Sequence, residues 1–123
     1  AAHAVPDERI ELVLAAYPHL IFPPSAQLHK TPPDLEKITC KTMLFFGDAD
    51  KNIVPGTIEL VKQAAQTHPN IILHIYPNAP HAFAEPTVQW CIPNPPWLFN
   101  PSAWSAGIKA WREALRALAA LSR

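Results

Sequence analysis

The stretch that decides the fold is Thr42-Met43-Leu44-Phe45-Phe46-Gly47-Asp48-Ala49-Asp50, in which an apolar run leads into a glycine and two aspartates. A continuous apolar run of this length is typical of a strand that is covered on both faces, as in parallel sheets. Gly47 ends the run, so we predict a buried strand over residues 42–46 with a polar loop directly after it. A second apolar run at residues 71–76 predicts a neighbouring strand of the same kind.

The segments around these two runs alternate between strand and helix signals. Residues 9–16 predict an earlier strand, with a helix as the alternative for their first half. Residues 56–67 predict a helix whose apolar side chains fall on one face, namely those of Ile58, Val61, Ala64 and Ala65. The order strand, loop, strand, helix, strand, helix indicates an α/β fold with a parallel sheet, right-handed crossovers and flanking helices.

The last helix is predicted to begin with Asn100 as N-cap and Pro101 at the first helical position. Large apolar residues then recur at helical spacing and form a stripe that consists of Trp104, Ile108, Trp111, Leu115 and Leu118. Such a stripe is typical of a helix face turned toward a core. We therefore expect Trp104 and Trp111 to be core residues.

Composition excludes several classes of partner. The 123 residues amount to one domain or less, and a formal net charge of +0 with a pI near 7.2 argues against nucleic acid or an anionic membrane surface as partner. No run approaches 18 apolar residues, so no transmembrane helix is expected. The first residues lack the charged and apolar regions of a signal peptide, so we expect a cytoplasmic protein.

Cysteine and carboxylate spacing gives no metal signal. Cys40 and Cys91 form no CxxC motif and have no histidines at ligand spacing, and Asp48 and Asp50 are too few to hold a cation. We therefore predict no metal and no cofactor. Free thiols are expected for both cysteines, with a disulfide between them as the alternative.

Two side chains that could perform chemistry follow neighbouring strands. Asp50 follows the first buried strand and His81 follows the second, and the carboxyl ends of parallel strands are where sites form in open α/β sheets. A carboxylate that accepts the imidazole Nδ1–H fixes the tautomer and leaves Nε2 to activate a nucleophile. The pair thus predicts the acid and base of a hydrolytic triad.

Plainer interpretations exist for each of these residues. Asp50 can be a turn residue after a strand, and Asp48 competes with it for the same role. His74 lies within the predicted strand and is expected to be a core or sheet-face residue. Among the remaining histidines, His19 follows a predicted strand end and could line a pocket.

Three strands and two helices cannot cover both faces of a sheet made of fully apolar strands. We therefore expect the chain to be the C-terminal half of a larger sheet, or to assemble with another chain.

Several segments around the site resemble the dienelactone hydrolase family of α/β-hydrolases. They are the Gly-x-x-Asp of residues 47–50, Val54-Pro55, and the segment from Tyr76 to Phe83, which reads Tyr-Pro-x-Ala-x-His-x-Phe. The lead-in at residues 38–40 and Ala-Trp-Arg at residues 110–112 are also similar to that family. The resemblance covers roughly residues 8–121.

The resemblance implies that residues 1–123 are the C-terminal portion of one α/β-hydrolase domain. It makes Asp50 the triad acid and His81 the triad base of an enzyme that cleaves a small carboxylic ester or lactone. The family's nucleophile, a Cys or a Ser, sits on an elbow that would lie N-terminal to Ala1, in the N-terminal half of the fold or in a second chain. The sequence contains no Gly-x-Ser-x-Gly or Gly-x-Cys-x-Gly.

Three points stay open at the level of sequence. The acid loop is one residue longer than expected before Val54, which keeps Asp48 as an alternative acid. The loop at residues 85–99 carries Trp90, Trp97 and Phe99 and would either form a wall of an acyl pocket or pack on the last helix. The alternative function is a non-catalytic α/β interaction module that self-assembles and lacks a nucleophile.

Overall fold

Three strands form one parallel sheet in the order β1-β2-β3. The computed structural model describes residues 10–18, 38–85 and 101–121. The elements in chain order are β1 (Leu12–Ala16), β2 (Lys41–Gly47), α1 (Thr57–Thr67), β3 (Ile71–Tyr76) and α2 (Pro101–Leu121). The predicted α/β class, with parallel strands and flanking helices, is confirmed.

The sequence-based boundaries agree closely with these elements. β3 matches its prediction, β2 is one residue longer at each end, and α1 begins at Thr57 rather than at Gly56. β1 begins at Leu12, while Arg9 lies outside the described residues. Asn100 lies outside them as well, so its capping role stays a prediction.

β2 is the centre of the core because it has a strand on each side and a helix on each face. Residues 42–47 are all buried. The alternation of side chains along a strand sends Met43 and Phe45 to the cluster that contains α2, and Leu44 and Phe46 to the cluster that contains Val61 of α1. The fully apolar sequence of β2 follows from this two-sided coverage.

α2 packs with the opposite face from the one predicted. Its predicted core stripe, including Trp104 and Trp111, remains between 36% and 58% exposed. The buried face carries only small residues, namely Ala103, Ala106, Gly107, Ala110, Ala114 and Ala117. These residues let the helix backbone approach the chain beneath it closely, since a Cβ on Gly107 would lie 2.5 Å from the carbonyl oxygen of Phe83. The prediction that the two tryptophans are core residues is therefore wrong.

Trp111 nevertheless fixes the position of α2. Its indole Nε1–H donates a hydrogen bond of 2.7 Å to the carbonyl oxygen of Ala84, which lies at the end of the loop after β3. A buried backbone carbonyl needs such a partner. The long helix is thereby tied to the loop that carries His81.

Two further observations concern membrane spans and thiols. Neither described helix combines the length and apolarity that crossing a membrane requires. Cys40 is a free thiol at the amino end of β2, whereas Cys91 lies outside the described residues.

Candidate active site

The loops after β2 and β3 are held together at the carboxyl edge of the sheet. The Asp48 N–H donates to the Tyr76 carbonyl oxygen at 3.1 Å, and the Ala49 N–H donates to the Ala79 carbonyl oxygen at 3.2 Å. At Gly47 the two backbones come so close that an added Cβ would lie 2.0 Å from the Ala79 oxygen. Glycine is therefore required where β2 ends, and this close approach brings the acid and base loops together.

Asp50 and His81 meet at this edge. The His81 Nδ1 lies 2.8 Å from Asp50 Oδ2, and the Asp50 side chain is 0% exposed. The second carboxylate oxygen, Oδ1, accepts the Asn52 N–H at 2.8 Å. A buried carboxylate requires such partners. Because an ionised carboxylate only accepts hydrogen bonds, this contact fits an imidazole tautomer that carries its proton on Nδ1 and has Nε2 as the acceptor nitrogen.

His81 lies in a loop with an unusual backbone. Its side chain is 33% exposed, so the ring can be reached from outside while Asp50 behind it is shielded. The next residue, Ala82, has φ 59°, a left-handed conformation that costs a non-glycine residue about 1–2 kcal/mol. Backbone strain of this kind concentrates at functional sites.

Asp48 has a different partner from Asp50. It is exposed, and its Oδ1 accepts the N–H of Asn78 at 2.6 Å. Asn78 has φ 57°, a conformation that asparagine tolerates better than most residues. Asp48 thus holds the backbone of the base loop, while the contact with the imidazole is made by Asp50.

Tyr17 and Glu85 were missed by the sequence analysis. Tyr17 follows β1, and its ring centroid lies 4.9 Å from that of His81. Its hydroxyl donates a hydrogen bond of 2.6 Å to Glu85 Oε1. Burial, with Glu85 adding to it, raises the pKa of Tyr17 well above its ordinary value, so the phenol stays neutral. The feature of the sequence that could have identified Tyr17 is its position directly after β1, the strand that pairs with β2.

His74 belongs to a face of the sheet rather than to this pair. His74 stacks on Phe45 with ring centroids 5.1 Å apart and lies 6.4 Å from the ring of Tyr76, in the sheet face under α2. Burial raises the pKa of Tyr76 to about 12, and the charge of Glu113 adds to the effect. His74 is thus a sheet-face residue, as predicted. His19 lies outside the described residues.

An apolar groove lies elsewhere on the described part of the chain. It has a volume of about 600 Å³ and runs along the outward face of α2, with Phe83 and Ala84 in its lining, and neither Asp50 nor His81 lines it. Among residues 10–18, 38–85 and 101–121, no three His, Cys, Asp or Glu side chains come together as a metal site would require.

The sequence profile of the dienelactone hydrolase family matches residues 1–122. The chain belongs to the dienelactone hydrolase family. A crystal structure of a proposed dienelactone hydrolase from Klebsiella pneumoniae subsp. pneumoniae MGH 78578 is similar in fold, with a TM-score of 0.66 and 20% identity over 94% of this chain. The match spans 43% of the length of the Klebsiella protein. No curated protein matches the chain.

Proposed function

We propose that this chain supplies the general base, His81, and its orienting acid, Asp50, to a hydrolase that cleaves small carboxylic esters or lactones. The observation that carries the proposal is the 2.8 Å contact between His81 Nδ1 and a fully buried Asp50 carboxylate. Membership of a hydrolase family supports it. Asp48, the alternative acid, is less suited because it is exposed and because the contact with the imidazole is made by Asp50.

The proposed reaction proceeds in two halves through a covalent acyl intermediate. His81 Nε2 takes the proton of a Ser or Cys nucleophile as the nucleophile attacks the substrate carbonyl. The resulting imidazolium, stabilised by Asp50, gives this proton to the leaving alkoxide as the ester bond breaks. His81 then takes a proton from water, which attacks the acyl group, and the same proton returns to the nucleophile as the carboxylic acid leaves.

The nucleophile and the oxyanion hole are proposed to lie in an N-terminal half of the same domain or in a second chain. Residues 1–123 would then be the C-terminal part of one α/β-hydrolase domain. Two observations support this division: the chain contains no nucleophile-elbow motif, and its match spans less than half of the Klebsiella chain. The substrate would be a small molecule, and the proposed setting is the cytoplasm.

The alternative is a non-catalytic α/β module that self-assembles. The exposed apolar face of α2 favours it, because an exposed patch of large side chains marks an interaction surface. The two proposals differ in whether the assembled protein contains a nucleophile. Native mass spectrometry separates them, since self-assembly gives only multiples of the 13.6 kDa chain.

The test is a substitution in the longest natural polypeptide that carries this chain, with p-nitrophenyl acetate and a small lactone as substrates. His81→Ala is expected to lower kcat/KM by about three to four orders of magnitude, because the base is lost. His68→Ala is the matched control, since His68 follows α1 at the opposite edge of the sheet. Wild-type activity in His81→Ala would refute the proposal, and so would an equal loss in the control.

A further inference from the structure

Tyr17 joins three parts of the candidate site. Its backbone N–H donates to the Phe45 carbonyl oxygen at 2.6 Å, so it continues the β1–β2 pairing one residue beyond β1. Its ring lies against both His81, at 4.9 Å, and Phe83, at 5.5 Å between centroids. Its hydroxyl reaches the Glu85 carboxylate at 2.6 Å. A single side chain thus contacts the base loop at three positions.

The backbone of Tyr17 also departs from ordinary geometry. Its φ is 39°, in the left-handed region that L residues rarely adopt. Such a conformation persists only when the surrounding contacts compensate for it. The ring contacts and the hydroxyl hydrogen bond supply this compensation. The ring is thus kept beside His81 both by its contacts with His81 and Phe83 and by the hydrogen bond to Glu85.

The imidazole of His81 donates its Nδ1–H to Asp50, and this hydrogen bond restrains the ring at one nitrogen. The side-chain torsions of His81 still allow the ring to tilt about this contact. Tyr17 lies beside the ring at an interplanar angle of 57° and limits the tilt of the ring on its side. The direction in which Nε2 points is thereby restricted, and misplacement of a reacting atom by about 1 Å can cost about 100-fold in rate.

We propose that Tyr17 is a positioning residue that sets the orientation of the His81 imidazole, and that Glu85 holds Tyr17 in this role. The inference rests on the proposed function of His81 as general base. Burial and then Glu85 raise the pKa of Tyr17 above its ordinary value, so its phenol does not serve as an anionic base. Its contribution is steric and is transmitted through the imidazole.

The test uses a graded set of variants in the longest natural polypeptide that carries this chain. Tyr17→Ala removes the ring and the hydroxyl, Tyr17→Phe removes the hydroxyl, and Glu85→Gln keeps an acceptor for it. Against p-nitrophenyl acetate, kcat is expected to fall about 10- to 100-fold in Tyr17→Ala with KM changed by less than about 3-fold. The losses in Tyr17→Phe and Glu85→Gln are expected to be about 2- to 5-fold.

A second readout reports the imidazole directly. The His81 Nδ1–H proton gives a downfield NMR resonance when it is held by a buried carboxylate, and its exchange with water reports how firmly the ring is held. We expect this resonance to be sharp in the wild type, broadened in Tyr17→Phe and lost to exchange in Tyr17→Ala. A role of Tyr17 in stability alone would lower the unfolding midpoint without this graded change in the folded protein.

The outcomes separate this inference from the proposed function. Full kcat together with an unchanged Nδ1–H resonance in Tyr17→Ala would overturn the positioning role. If Tyr17→Ala fails to fold, Tyr17→Leu and Tyr17→Phe test the positioning role in its place. Wild-type kcat and a wild-type Nδ1–H resonance in both variants would then overturn the positioning role. If His81→Ala keeps full activity, the proposed function fails, while the resonance still reports whether Tyr17 orients the ring.

Discussion

The carboxyl edge of the sheet and the outward face of α2 differ in how many of their side chains find partners within this chain. At the edge, both oxygens of Asp50 accept hydrogen bonds, and Asp48 holds the neighbouring loop. On the outward face of α2, five large apolar side chains remain at least 36% exposed: Trp104, Ile108, Trp111, Leu115 and Leu118. The Asp50–His81 pair is therefore held within the described residues, whereas the apolar face is exposed in this chain and is of the kind that marks interaction surfaces.

The largest expected effect is at the carboxyl edge of the sheet, where the activity of Asp50→Asn is compared with that of Asp48→Asn. Loss of the Asp50 charge is expected to lower kcat/KM by about three to four orders of magnitude, since the imidazolium loses its stabilising charge and an amide N–H facing Nδ1 favours the wrong tautomer. Asp48→Asn is expected to cost less than about 10-fold, because Asp48 contacts backbone. Steady-state ester hydrolysis by the longest natural polypeptide measures both. A greater loss in Asp48→Asn would reverse the assignment of the acid.

A second test concerns the close approach that brings the two loops together. Gly47→Ala would place a Cβ 2.0 Å from the Ala79 oxygen and is expected to cost about 3 kcal/mol of unfolding free energy. Gly56→Ala is the matched control: φ is 88° there, no atom lies within 4 Å of the added Cβ, and a cost of about 1–2 kcal/mol is expected. Urea unfolding measures both. Equal costs would mean that the loops are not held by this contact.

The smallest expected effect lies on the outward face of α2. Leu115 is 58% exposed, so Leu115→Ala in the 123-residue chain is expected to change the unfolding free energy by about 0.5 kcal/mol or less. Ala110→Leu, on the buried face, is expected to cost about 1–3 kcal/mol through overpacking.

The same pair of variants also shows whether the outward face is covered in a longer polypeptide. There, a cost of about 2–5 kcal/mol for Leu115→Ala would show that the leucine is buried by additional chain. If Leu115→Ala costs equally little in the 123-residue chain and in the longer polypeptide, the outward face of α2 is exposed to solvent in both.

The sequence predicted the sheet and the meeting of Asp50 with His81 for the same reason. Long apolar runs mark strands that are buried on both faces, and parallel strands bring the residues after them to one edge. Asp50 and His81 are 31 residues apart in the chain. The two paired strands nevertheless place both residues at the same edge of the sheet. The choice between Asp48 and Asp50 was left open, because it depends on how the chain turns within three residues.

The orientation of α2 was predicted incorrectly because large apolar residues dominate the periodic signal. A stripe of tryptophan, isoleucine and leucine outweighs the alanines beside it in any hydrophobic pattern. The helix is nonetheless packed through its small residues, since Gly107 has to approach the Phe83 backbone closely. The contact between Tyr17 and Glu85 could not be predicted, because it joins residues 68 positions apart through side chains of ordinary type.

The hydrogen bonds between the two loops have a mechanical consequence. Asp48, Ala49 and their partners after β3 tie the acid loop to the base loop at three points, in addition to the Asp50–His81 contact itself. Asp50 and His81 are therefore restrained relative to each other through the backbone of both loops. Under the proposed function, the alignment of His81 with a nucleophile would depend on the orientation of the imidazole and on how the nucleophile's part of the fold docks on this unit. The precision of the active site would then be limited by how well this unit and the part that carries the nucleophile fit together.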